Sequence, residues 1–441
     1  MSLTSRSEAY NAETRYLEQK VVIHFPGITP LEITRDNFLI SLSTLEETYS
    51  ASGSTPFGGV TSNELTISLY NEEGIFNPEN KSSKYYGLIK KGVMIESFIK
   101  PVSEETWDPQ GIFYVTDWVT TSSGMTAEVT ANDKLYNVFN GATPNFTVFR
   151  DISFKDFVTE YFLFFGYTVT VDSSIDIILP YVYLSAYNDN KTFLSALMTS
   201  VLADCFCNHK GEITILSKTS KRDVKATFTD NNQIINISVK QSLIDNNDSA
   251  VVTCYKGQES AARTLLSVDE VTLTPGLNNL GKYKLNAFPV LRINSIQTTC
   301  NDVIKINSFQ ASDSDIFCEI QSTADTLAKL EITGTILDVI ISDIGVAGVF
   351  PLKINSKFVQ HESVAKQIKE YAEAYVSVNT PTIELSVRGN PLLELGDMIE
   401  VDSTHYKIKY TGTIIKASYE YQGHLSCVLT LANASIIQKE V

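Results

Sequence analysis

Three soft metal donors fall close together in Cys205-Phe206-Cys207-Asn208-His209. On a strand, a Cys-x-Cys spacing points both sulfurs to one face, beside a lone imidazole. A structural zinc ion wants a second pair of ligands, usually accompanying a Cys-x-x-Cys knuckle, and the sequence offers no such pair. The stretch therefore reads as a small apolar strand or turn closing a helix, with no metal assigned. Asp245 to Asp248 and Asp313-Ser314-Asp315 carry the oxygen ligands that Ca²⁺ takes, but neither follows the twelve-residue calcium loop. Asp and Asn in such turns hydrogen-bond their own backbone, so both read as solvated turns. Glu104-Glu105 beside Trp107 has the residue types of a glycosidase pair, yet adjacent residues on a strand point apart.

Other catalytic signatures are missing. The sequence has no HExxH, GxGxxG, GxxxxGK[ST] or GxSxG pattern, and His24, His209, His361, His405 and His424 are far apart along the chain. No catalytic residue and no cofactor is assigned.

Bulk composition narrows the function classes. The 441 residues include 35 Lys and Arg against 51 Asp and Glu, a net charge of −16. Such a chain lacks the basic surface that supplies non-specific affinity for phosphate backbones, so tight nucleic-acid binding is not expected. Cys205, Cys207, Cys254, Cys300, Cys318 and Cys427 are too scattered for a disulfide framework and read as reduced core thiols. The first residues, MSLTSRSEAYNAETRY, contain no apolar run of the secretory kind, and Ile336 to Phe350 is interrupted by Asp338 and Asp343. Neither export nor membrane anchoring is expected. At roughly 150 residues per domain the length suggests about three domains, and 21 Tyr with 22 Phe tilt the chain toward strands.

The elements follow from periodicity. VVIHF at 21–25, FLISL at 38–42 and ELTISLY at 64–70 alternate as strands, and Met94 to Ile99, Ile112 to Trp118 and 126–130 continue the pattern around a polar loop at 101–111. This first domain closes near residue 148. Ser153 then caps a helix carrying Phe154, Phe157, Val158, Tyr161 and Phe162, with Gly166 placed to end it. Asn190 is expected to cap a second helix with Phe193, Leu194, Leu197, Met198 and Val201, before a strand at 212–216. Residues 149–224 thus read as a small α+β domain. Strands at 233–239 and 250–255 follow, residues 258–350 look like an inserted β-sandwich, and a helix at 359–377 precedes closing strands from 383 to 432. The fold class is mainly β with a small α+β domain.

Two stretches are more specific. The first is the succession Pro56-Phe57-Gly58-Gly59-Val60, Ser62-Asn63-Glu64-Leu65, Leu69-Tyr70-Asn71, Phe76-Asn77-Pro78, Tyr85-Tyr86-Gly87, Lys91-Gly92, the run Phe113 to Trp118, and Thr130-Ala131-Asn132-Asp133. It resembles the N-terminal barrel of the tail hub, or tail-associated, proteins of phages and prophages of Gram-positive bacteria. The second is Arg388-Gly389-Asn390-Pro391 and Leu393-Glu394-Leu395-Gly396-Asp397, with Tyr421-Gln422-Gly423 and Leu425 beyond. It is similar to the closing hairpins of the same fold, preceded there too by an Ala-rich helix.

The resemblance implies two tube-type β-barrels per chain, one at 1–148 and a discontinuous one from 225–257 with 351–441. Three chains would then make a pseudo-sixfold ring that mates with the sixfold tail tube. It also implies a homotrimer in the virion tail, assembled in the host cytoplasm. Its partners would be the distal tail or tail tube protein, the tape measure, and spike or fibre proteins, and it would have no enzyme activity of its own. An acidic chain suits a conduit for DNA, because carboxylates repel the polyanion. The alternative is a glycan-binding adhesin or receptor-binding protein that stacks exposed aromatics, Trp107 foremost, on cell-wall sugars; a wall hydrolase built on scattered Asp or Glu is a further one. Another ring component, a defective phage or a contractile bacteriocin would fit the same residues.

Overall fold

The computed structural model describes residues 8–12, 14–48, 57–121, 125–230, 234–240, 247–299, 302–377 and 382–438. Pro56, Cys300 and the first part of the 245–248 turn lie outside the described residues. Strands dominate, with helices at Lys134–Asn140 (α1), Phe154–Phe164 (α2), Asn190–Ser200 (α3) and Glu362–Ser377 (α4).

The largest element is one 13-stranded sheet built from both ends of the chain. Its N-terminal portion runs Leu39–Glu47, Glu64–Tyr70, Thr126–Asn132, Asp108–Thr121, Met94–Pro101, Leu17–His24 and Leu31–Thr34 in neighbouring order. Its C-terminal portion runs Ile408–Tyr421, Leu425–Gln438, Thr382–Val387 and Ile234–Lys240, with Met398–Ser403 and Val224–Thr229 attached through the first of these. One antiparallel pairing joins the portions, from Leu42 opposite Tyr421 to Glu47 opposite Lys416. Each portion has its own core, because alternate residues of each strand point to one face. Leu65, Ile67, Leu69, Ala127, Val129 and Ala131 line the first. Leu385, Ile399, Val401, Ala417, Tyr419 and Leu429 line the second.

The pairings divide the stretches 225–257 and 351–441, which the sequence reading grouped together. Ser249–Glu259 and Pro351–Asn355 do not join the large sheet. They pair with each other, Ser249–Glu259 pairs on its other side with the long strand Thr326–Ile344, and α4 covers them with Ala365, Ile368 and Ala372 against Ala250, Val252 and Ile354. The cause is continuity: Ser249–Glu259 runs almost directly into Arg263–Leu273, so it leads out to the inserted domain. There, Arg263–Leu273, Thr326–Ile344 and Val290–Thr298 face the sheet of Gly276–Lys284, Asp315–Ser322 and Ile304–Ala311 across a core of Leu265, Leu330, Ile332, Ile316, Cys318 and Ile320. Thr326–Ile344 pairs with Arg263–Leu273 over its first half and with Ser249–Glu259 over its second, tying insertion to stem.

The α+β segment packs α2 and α3 on the strands Ala203–Cys207, Ile213–Ser217 and Val169–Val171. The Ser153 hydroxyl accepts the Asp156 N–H at 3.0 Å, and all five apolar positions expected of α2 are buried. Its end is a Schellman turn, with Gly166 N–H bonded to Leu163 O and Tyr167 N–H to Phe162 O. For α3 the cap differs from expectation. Asp189, not Asn190, accepts the Thr192 N–H at 2.7 Å. Asn190 is instead buried, donating to Val138 O (2.9 Å) and Gly141 O (3.1 Å) and accepting from the Tyr161 hydroxyl (2.9 Å). These bonds fasten the unexpected helix α1, whose Leu135 and Val138 join this core. The loop expected at 101–111 is shorter, since the strand Asp108–Thr121 begins inside it.

Candidate functional site at the segment junction

Most of the marked residues converge where the two portions of the large sheet meet the small α+β segment. The chain 57–61 lies beside Ala203–Cys207. Gly58 N–H donates to Ala203 O (3.1 Å), Cys205 N–H donates to Gly59 O (2.8 Å), and Val60 bridges Cys205. Gly59 is demanded by proximity, because a Cβ there would sit 1.8 Å from the Thr48 carbonyl oxygen. Phe57 is buried with Leu202 and meets Tyr371 of α4 edge-on.

The strand Ala203–Cys207 is buried on both faces, which explains its composition. Cys205 and Cys207 point into the helical core while Phe206 points into the C-terminal sheet core. Burial raises both thiols, so they are protonated apolar side chains. His209 turns away from them toward Glu46, so the three soft donors are not brought together. Among the described residues no group of His, Cys, Asp and Glu is arranged to hold a metal ion.

Ionisable groups are sealed into this junction at Asp204, Asp133 and His209 together with their partners. Asp204 accepts the Gly59 N–H at 3.0 Å and pairs with Lys218 Nζ. Burial raises its carboxyl, and Lys218 opposes that shift. Asp133, the cap of α1, accepts the Asn63 N–H (2.8 Å), the Ser62 hydroxyl (2.8 Å) and the Leu135 N–H (2.9 Å). Burial pushes it up to about 6 although those bonds act the other way. Asn63 also donates to Cys207 O at 2.9 Å, tying the sheet to the strand. His209 Nε2 lies 3.0 Å from Glu46 Oε1, and its Nδ1 lies 3.6 Å from Glu394 Oε1.

The second marked stretch, 388–397, closes the junction from the other side. Arg15 donates to the carbonyls of Arg388 and Gly389, the latter at 2.6 Å. Pro391 O accepts from Gln110 Nε2 at 3.0 Å, and the Tyr419 hydroxyl donates to Leu393 O at 2.9 Å. Asn390 is buried and caps its own turn through the Leu392 N–H at 3.1 Å. Gly396 has φ +85° with Leu216 against it, and its carbonyl accepts from Arg222. Asp397 binds the Glu394 N–H (2.8 Å) and Lys225 (2.9 Å).

Solved tail proteins share this fold. The 43 kDa tail protein of prophage MuSo2 from Shewanella oneidensis superposes with a TM-score of 0.52 at 10% identity, covering 94% of this chain and 97% of that one. The tail protein from Neisseria meningitidis MC58 gives 0.50 at 9% identity, covering 94% and 96%. No protein-family model and no curated protein matches the sequence. At such low identity, what is shared is the backbone course.

The remaining marked residues lie elsewhere. Tyr85 stacks between Phe25 (4.9 Å) and Phe76 (5.6 Å), and the Trp118 indole donates to Phe76 O at 3.0 Å. They brace the N-terminal core, while Tyr86 and Gly87 face solvent. Trp107 carries the ammonium groups of Lys20 and Lys100 over its ring, at 4.8 and 5.1 Å, where a stacked sugar would need an open face. Asp313, read as a solvated turn, is buried and accepts the Ser185 N–H at 2.7 Å, docking the insertion on the α+β segment.

Asp204, Lys218, Glu46 and Arg15 escaped the sequence reading. Only Glu46 left a signal, standing on the same strand face as Leu42 and Thr44 where an apolar residue is due.

Proposed function

We propose that this chain is the structural hub of a phage or phage-like tail tip. Three copies form a pseudo-sixfold ring that joins the hexameric tail tube to spike or fibre proteins and leaves a DNA-permissive channel. The observation that carries this reading is the fold likeness to two tail proteins along nearly the full length of all three chains. The large sheet supports it, since one sheet wrapped on two cores gives six such units in a trimer. The ring would contact the distal tail or tail tube protein on one side and the tape measure and spike or fibre proteins on the others, as in the Gram-positive phage family that the sequence resembles. The chemistry-bearing side chains of the junction are committed to joining segments, which favours a scaffold over an enzyme. No helix among the described residues is long and apolar enough to cross a membrane.

Single-particle imaging of the purified chain, alone and with its tail tube partner, tests the proposal. Threefold rings with a pseudo-sixfold channel are expected in at least the second sample. Particles without a ring in both would overturn it.

A further inference from the structure

We propose that His209 is a protonated clasp where the turn 208–211, the strand Leu39–Glu47 and the loop 390–397 meet, and that loss of its proton loosens these three segments from one another. The inference stands on the junction alone and does not depend on the tail reading. Glu46 contributes both carboxylate oxygens to Nε2, at 3.0 and 3.2 Å. Glu394 stands 3.6 Å from Nδ1 and also accepts the His209 main-chain N–H at 3.1 Å. A carboxylate therefore faces each ring nitrogen. A neutral imidazole has one N–H and one lone pair, so with its N–H on Glu46 it would turn the Nδ1 lone pair toward the Glu394 carboxylate; the imidazolium instead hydrogen-bonds Glu46 and presents positive charge and an N–H to Glu394 across 3.6 Å.

The groups around the ring come from every element packed on it. Besides Glu46 and Glu394, Asp397 adds negative charge from the loop, partly offset by Lys225 and Arg222. From Ile408–Tyr421, the Tyr419 ring stands edge-on to His209 at 6.3 Å. Tyr419 and Cys427, near Glu46, are raised by burial and stay neutral. Burial alone would lower the imidazole, but Glu46 first, then Glu394 and Asp397, outweigh it and hold the group at about 9. Because the folded value lies above the ordinary 6.5, the stabilisation is complete below that pH and is lost as pH rises through about 9.

The test uses the full chain with ¹³C-labelled histidine rings, followed by NMR across pH, together with thermal melts at about pH 7 and about pH 9.5. One ring signal, absent from His209→Gln, is expected to titrate above about pH 8. Glu46→Gln should move that signal alone toward the ordinary range by at least about one pH unit. The wild-type melting temperature should fall across the interval, and that of His209→Gln should stay level. A signal titrating at or below the ordinary value, or an equal fall in His209→Gln, overturns the proposal. If His209→Gln does not fold, the signal that Glu46→Gln displaces decides alone, and no displaced signal counts against the clasp.

Discussion

The junction and the inserted sandwich are held together in opposite ways. Around Gly59, Asp133, Asp204 and His209, buried ionisable groups from distant segments satisfy one another. Inside the insertion, Leu265, Leu330, Ile332 and Ile320 make an apolar core, and the ion pairs lie outside, as with Arg263 and Asp338 at 44% and 40% exposure. Buried ion pairs contribute little net stability, yet they punish the loss of either partner. Apolar burial is proportional to area and tolerant of partners. The contrast teaches that the junction is built for a unique geometry, and the insertion for persistence on a stem.

The sharpest way to break the contrast is Lys218→Met. It leaves Asp204 buried beside Gly59 without its cation, and the expected cost is about 3–5 kcal/mol in chemical denaturation. The double variant Lys218→Met with Asp204→Leu should recover a large part of that loss. A single variant as stable as wild type would show that the pair is not sealed from water.

Leu330→Ala probes the other region. Leu330 is 1% exposed, and its truncation should cost about 2–5 kcal/mol. Location distinguishes it from the previous case. Hydrogen exchange should quicken in 263–336 while Glu64–Tyr70 stays protected, because Ser249–Glu259 and Thr326–Ile344 are the paired strands that carry the insertion on its stem. Exchange that quickens equally in both places would merge the two regions into one cooperative unit.

Asp133 sharpens the comparison through pH. Its folded value near 6 lies above the ordinary 3.8, so this group's stabilisation is fully present below 3.8 and is lost as pH rises through about 6. At neutral pH the ionised group costs on the order of 2–3 kcal/mol relative to acid, at 1.36 kcal/mol per pH unit. Asp133→Asn keeps the cap oxygen and cannot ionise. Wild type should therefore gain melting temperature on that variant as pH falls from about 6.5 to about 4, whereas a constant difference would mean the carboxyl is not buried as charge.

Local structure was largely legible in the sequence, and the junction was not. ELTISLY and FKDFVTEYF write their buried faces in their spacing, because a period of two or of 3.6 is fixed by backbone geometry. AVVTCY at 250–255 is just as legible as a strand, yet a strand signal names no partner strand, and its place on the stem came from continuity with the insertion. The Asp189 and Asn190 pair shows the same limit. Either side chain can cap, and the choice was made by carbonyls at Val138 and Gly141 that approach only in the folded chain. Glu46 and His209 are separated by more than a hundred and fifty residues, so no local pattern links them. Gly59, Gly396 and Asn390 were found by resemblance, and what makes them necessary is contact with Thr48, with Leu216 and within the residue 388–397 turn.

The smallest expected effect belongs to Arg263→Ala, and its smallness is the point. Arg263 meets Asp338 at 3.2 Å where Thr326–Ile344 passes from sandwich to stem, a place where an ionic joint would resemble the one at Asp204. Both side chains are well solvated, however, so the guanidinium–carboxylate attraction is screened and holding the long Arg263 side chain in register costs entropy. The expected loss is below about 1 kcal/mol and should shrink further in high salt. Exposure, rather than the presence of opposite charges, then separates the two joints. A loss matching that of Lys218→Met, insensitive to salt, would mean that the stem too is an ionic junction and that the insertion is clasped at its base in the same manner as the sheet.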